Sequence, residues 1–93
     1  MFSKEIEVRN PEGLHARPAT FFIHKANTFK SSVWVENGDR RANAKSLLGV
    51  LSLGIVGGDS VTLIIEDKDE KEAVEAKKAL EELGAFINNG CID

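Results

Sequence analysis

A single cysteine, Cys91, is all the thiol this chain carries. With no partner in the chain it excludes an intramolecular disulfide and a cysteine-built zinc site. It reads as incidental, although an exposed thiol there could cross-link two chains after purification. Long hydrophobic runs are missing too, since nothing approaches the roughly 20 apolar residues a membrane-spanning helix needs. The opening MFSKEIEV alternates charged and apolar residues instead of forming a signal-peptide core, so the expectation is a cytoplasmic protein without membrane insertion. Positive charge is scarce. Residues 1–48 carry 8 Lys and Arg against 5 Asp and Glu, and residues 49–93 carry 4 against 10, so a +3 half precedes a −6 half. That excess is too small for a nucleic-acid footprint, but it could steer docking onto an acidic protein surface. An ordinary solvated surface accounts for the same counts.

What is present, 42% hydrophobic and 29% charged residues over 93 positions, describes one globular domain with a single modest core. Phe2, Ile6 and Val8 share one parity and Ser3, Glu5 and Glu7 the other, the period of a strand with one wet face. Asn10, Pro11 and Gly13 end it. Ala16, Ala19, Phe22, Ile23 and Ala26 line one face of a helix, which Phe29 closes. SSVWVE is a strand, Asn37-Gly38 a hairpin turn and DRRAN its returning partner. Ser46 then precedes one or two turns of helix that Gly54 stops, and Gly57-Gly58 turns into SVTLIIE, with Val61, Leu63 and Ile65 on one face of a strand. Asp69 and Glu72 suggest a capping box for a final helix that buries Ala73, Ala76, Leu80 and Leu83 and stops at Gly84. The tail AFINNGCID shows no strong pattern, and the chain has no internal repeat or linker.

The order is β-α-β-β-α-β-α. A first strand that reaches the second through a helix suggests a right-handed split crossover with the last strand inserted between them. The economical result is a four-stranded antiparallel sheet with helices on one face, an α+β fold. Many unrelated functions share it, so the site must decide.

The stretch GLHARPAT places His15 and Arg17 two residues apart with Pro18 directly after. If the helix starts at Ala16, His15 occupies its cap, where free N–H groups favour an anion and disfavour an imidazolium. A neutral ring nitrogen is a nucleophile that can attack phosphorus. Arg17 offers a planar fork suited to phosphate oxygens, and Pro18 in the first turn removes no needed donor. Together they suit a phosphoryl group held covalently on His15. The plain alternative keeps His15 as a capping residue and Arg17 as a solvated charge. Neither a glycine-rich nucleotide loop, nor a carboxylate cluster for magnesium, nor a Ser-His-Asp or Cys-His order is present. The chain is therefore expected to use no cofactor or metal and to depend on a donor and an acceptor protein.

GLHARPA resembles the active-site signature of the histidine-containing phosphocarrier (HPr) family of the bacterial phosphoenolpyruvate-dependent sugar phosphotransferase system, and AKSLLGVLSLG is similar to that family's regulatory serine segment. The resemblance spans residues 2 to about 84. It implies an open-faced sandwich over 1–84, leaving 85–93 as an extension without an assigned role. It further implies that His15 accepts a phosphoryl group on Nδ1 from phosphorylated enzyme I and passes it to sugar-specific permease domains. The backbone of Ala16 and Arg17 and the Arg17 side chain would stabilise the transferred group. Such a carrier is not an enzyme in the strict sense, although it is sometimes classed as a transferase. Ser46 would be the target of a dedicated serine kinase, and its phosphorylated form a corepressor for a catabolite-control transcription regulator. An ordinary helix cap is the alternative for Ser46.

Thr20, Phe21, Lys25, Leu47, Leu48 and Leu51 are the candidate partner-binding residues, with some of the leucines expected to complete the core instead. His24 stands where the family often has Lys or Gln and reads as surface, and Asn27 is uncharged where some relatives are basic. A monomer making transient contacts suits a carrier. Other readings remain open: a regulatory binding module acting through Ser46, paralogues of which lack the active histidine; a carrier in a nitrogen-related or other phosphorelay; and an unrelated split-crossover binding domain.

Overall fold

The computed structural model describes residues 1–9, 11, 13–14, 16–66 and 70–88, with the side chains of 16 and 70–73 excepted. Strand β1 (Phe2–Glu7) leads to helix α1 (Ala16–Ala26), the hairpin of β2 (Ser32–Asn37) and β3 (Arg40–Asn43), helix α2 (Leu47–Ser52), strand β4 (Ser60–Glu66) and helix α3 (Glu70–Asn88). The capping box expected of Asp69 and Glu72 lies outside the described residues, as does Cys91.

The sheet runs β1-β4-β2-β3 with every pairing antiparallel, so β4 does enter between the first two strands. Register follows the apolar alternation. Ile6 stands opposite Val61, and Val35 lies between Leu63 and Ala42, placing all five on the buried face. A one-residue slip would exchange them for Glu5, Thr62, Glu36 and Arg41, the row displayed on the other face. Glu36 and Arg41 pair there at 2.7 Å. Gly38 turns the hairpin with φ +67, the left-handed conformation its two-residue turn requires.

Helix α1 contributes Ala19, Phe22 and Ala26 to the core, with Ile23 and Phe29 packed against it. In α3 the buried stripe is Ala76, Ala79, Leu83 and Ile87, with Leu80 at its margin. The helix does not stop at Gly84 but continues to Asn88. The reason is contact: a β-carbon on Gly84 would come within 3.0 Å of Ile6 Cδ1, so the glycine lets α3 settle closely onto β1. Ile87 is buried beyond it, and Asn88 Nδ2 donates to Glu7 O at 3.0 Å, tying the helix end to β1. Glu75 Oε1 accepts from the N–H groups of Lys30 and Ser31, so α3 also holds the turn between α1 and β2.

Truncating Leu63, fully buried at the centre of β4, should cost about 2–5 kcal/mol as Leu63→Ala. Leu48→Ala, at a side chain 81% exposed, should stay within about 0.5 kcal/mol. Urea unfolding of both variants checks this, and a comparable loss in the second would place Leu48 in the core.

Candidate functional site

The turn that introduces α1 is held by the segment that follows α2. Gly13 has φ +64, and a β-carbon there would lie 2.2 Å from Ile55 O and 2.6 Å from Val56 Cα. No side chain fits between these two backbones. Leu14, the next residue, is buried and donates its N–H to Ile55 O at 3.1 Å. Below the turn Val8 N–H donates to Asp59 O and Gly58 N–H to Val8 O, both at 2.8 Å. Segment 54–59 is thus the platform on which the approach to α1 rests.

His15 lies outside the described residues; in the chain it directly precedes Ala16, the first residue of α1. The N–H groups of Ala16 and Arg17 belong to the first helical turn, where the helix itself supplies no acceptors. Pro18 is the third helical residue, buried, and occupies a position where a missing N–H costs nothing. Arg17 is exposed, with its guanidinium carbon 5.6 Å from the centroid of the Phe21 ring. Such a contact at the surface contributes roughly 0.5–1 kcal/mol and restrains the side chain one turn along its own helix. No acidic residue stands in the first turn of α1, and among the described residues no carboxylate pairs with Arg17. Other cations of the basic half are engaged: Lys25 with Glu82 at 3.3 Å, Lys45 with Phe29 O at 2.6 Å and Arg40 with Ser52 O at 3.3 Å.

Ser46 caps α2. Its backbone is extended, φ −108 and ψ 117, and its Oγ accepts from Gly49 N–H at 3.2 Å. Its place relative to Arg17 follows from two contacts. Leu14, at the head of α1, bonds Ile55, beyond the end of α2, while Asn27, past the tail of α1, donates to Lys45 O at 3.3 Å. The two helices therefore run in opposite senses, and Ser46 lies at the end of α1 away from Arg17. Eleven helical residues span about 16 Å.

Between these ends Thr20 and His24 are exposed on α1 and Phe21 is 45% exposed. On α2 Leu47 is 39% and Leu48 81% exposed. Leu51 instead packs against the core, and the ammonium of Lys25 is committed to α3 through Glu82. Val56, 49% exposed and backed against Gly13, belongs to this surface although the sequence singled out nothing at that position. Its neighbours Gly57 and Gly58 mark a turn but not which other loop the turn meets. Among the described residues no group of His, Cys, Asp and Glu could hold a metal ion, and no helix is long and apolar enough to cross a membrane.

Residues 2–89 match the family model PTS-HPr, described as the PTS HPr component phosphorylation site. Among known proteins, the HPr-like protein Crh of Halalkalibacterium halodurans is 46% identical over 76 residues, covering 82% of this chain and 90% of that protein. Among solved structures, the phosphocarrier protein HPr from Bacillus anthracis superposes with a TM-score of 0.83 at 35% identity, over 92% of this chain and 95% of that one. Crh of Bacillus subtilis, a catabolite-repression protein crystallised as a domain-swapped dimer, superposes with a TM-score of 0.70 at 39% identity over 100% of both chains. That relative lends no support to the expectation of a monomer.

Gly13→Ala combines a positive φ with a backbone collision, and such strain should cost at least about 1–3 kcal/mol. Thermal unfolding measures the loss, and amide exchange at Leu14 should quicken in parallel. An unchanged melting temperature would mean that segments 13–14 and 55–56 are not held against each other.

Proposed function

The chain belongs to the HPr family of the phosphotransferase system, phosphocarriers that are not enzymes in the strict sense, and on that premise we propose that His15 is its phosphoryl acceptor. The observation that carries this reading is Arg17, exposed on the first turn of α1, restrained by Phe21 and left without a carboxylate among the described residues. A ring nitrogen of His15, Nδ1 in the family pattern, donates its lone pair to phosphorus. A nitrogen–phosphorus bond forms as the donor's bond to phosphorus breaks, and the bonding pair returns to the donor. The guanidinium of Arg17 and the first-turn N–H groups of Ala16 and Arg17 are suited to the charge on the phosphoryl oxygens. Transfer onward is the same step with the chain as donor.

The partners in this reading are phosphorylated enzyme I as donor and sugar-specific permease domains as acceptors, met in the cytoplasm. Thr20, Phe21, Leu47 and Leu48 supply the contact surface between the ends of α1, with Leu51 and Lys25 contributing less because the core and Glu82 already engage them. The acting form in this reading is the monomer.

Ser46 is the proposed regulatory site, modified by a serine kinase. A phosphate there adds about −1.5 to −2 charge at the end of the docking surface away from Arg17, so it acts on partner affinity and not on the phosphoryl group. The 46% identity to Crh favours a second reading, in which the chain works chiefly as a module that binds a catabolite-control transcription regulator through Ser46. His15 distinguishes the two, because that role has no use for a phosphoryl acceptor.

With phosphoenolpyruvate and enzyme I, the wild type should acquire acid-labile, alkali-stable phosphate and His15→Ala none. Arg17→Ala should slow labelling by roughly 10²-fold while folding normally, the usual loss on removing one donor to a developing charge. Label retained in His15→Ala would move the acceptor elsewhere, and an unlabelled, folded wild type would favour the regulatory module. Ser46→Asp should raise the KM for this chain in the enzyme I reaction more than it lowers kcat. An effect confined to kcat would contradict the separation between Ser46 and Arg17.

A further inference from the structure

The platform under the turn before α1 is itself closed by one side chain. Asp59 Oδ2 accepts the N–H of Val56 at 3.0 Å, and Asp59 N–H donates to Val56 O at 3.1 Å. Side chain and backbone together therefore lock the four residues 56–59, which include Gly57 and Gly58 and would otherwise be among the freest in the chain. The same Oδ2 lies 3.4 Å from Asn37 Nδ2, and Asn37 also reaches Leu53 O at 3.3 Å. Asn37 is the last residue of β2, part of the sheet, so the lock is anchored to a rigid element. The backbone of Asp59 meets Val8 at its carbonyl, and the loop it closes presents Ile55 O and Val56 Cα to Gly13 and Leu14.

We propose that Asp59 is a positioning residue for phosphoryl acceptance: by closing the Val56–Asp59 loop and bracing it on Asn37, it fixes the platform that sets where the Gly13-Leu14 turn delivers the first turn of α1. It touches neither the phosphoryl group nor Arg17. Its influence passes through Val56 and Ile55 to Gly13 and Leu14, and so to the residues that follow them. This rests on His15 being the acceptor, since a positioning effect on transfer has meaning only if transfer occurs at that turn. Bonds that form in near-attack geometry are sensitive to ångström displacements. The contact of Ile55 and Val56 with Gly13 is too tight to absorb such a shift in the platform without moving the turn. The negative charge of Asp59 plays no part, so a neutral acceptor of the same shape should serve as well.

The test compares Asp59→Ala, Asp59→Asn and Asn37→Ala with the wild type in steady-state phosphorylation by enzyme I, alongside melting temperatures and Leu14 amide exchange. Asp59→Ala should lower kcat roughly tenfold, with the KM for this chain changed less than about twofold and with faster Leu14 exchange. Asn37→Ala should move the same quantities in the same direction by less, because the Val56 bond survives. Asp59→Asn, which keeps an oxygen acceptor, should restore both kcat and protection. A wild-type kcat in Asp59→Ala at an assay temperature well below its melting point, even with that melting point lowered, would reduce Asp59 to a structural residue. Failure of Asp59→Asn to rescue would assign the effect to charge and overturn the proposal. A wild type that accepts no phosphate is a different result, which removes the acceptor reading itself and this inference with it.

Discussion

Two stretches of backbone meet where Gly13 lies against Ile55 and Val56, with no room for a β-carbon between them. Much of what makes this chain a candidate carrier depends on that contact. It lets Leu14 enter the core, lets its N–H reach Ile55 O, and sends the chain into α1 from a fixed direction. The first helical turn then emerges at the surface with Arg17 exposed and with Pro18 and Ala19 buried. Because the opposing segment is the return from α2 to β4, the site turn is anchored through a loop to the centre of the sheet. β4 pairs with both β1 and β2.

Charge is arranged to the same end. The basic half spends several of its cations as internal struts: Lys45 on the carbonyl of Phe29, Arg40 on the last carbonyl of α2, Lys25 on Glu82 and Arg41 on Glu36. Arg17 is set apart by its place on a helical turn without an acid and, among the described residues, by an aromatic neighbour in place of a carboxylate. An arginine already paired would have to exchange one anion for another. One resting on Phe21, with no carboxylate partner among the described residues, meets no such exchange.

The fold was legible wherever the apolar pattern had a clear period. Val33 and Val35, Val61, Leu63 and Ile65, and Ala19, Phe22 and Ala26 fall on the buried faces their spacing indicates. Glycines were legible only in part. Gly38 and Gly54 take the positive φ expected of turn and stop, whereas Gly84 sits inside a helix because Ile6 lies across from it. A glycine that ends a helix and one that admits a close neighbour look alike until the neighbour is known. The leucines of α2 show the same limit. Leu48 faces outward and Leu51 packs inward on a helix too short for its period to declare a face.

By itself, the sequence determined the order of elements, the buried face of each strand and the short contiguous motif that carries His15 and Arg17, because these depend on residues adjacent or periodic in the chain. Only the tertiary structure decided that α1 and α2 run in opposite senses, so that Ser46 lies away from Arg17. It alone joined Asn37, Asp59 and Val56 to the turn at Gly13, and committed Lys25 to Glu82. Apart from the local bond between Val56 and Asp59, those relations link residues separated by 18 to 57 positions. They exist only once hydrophobic burial has closed the chain on itself, and no local periodicity encodes which distant partner a loop will meet.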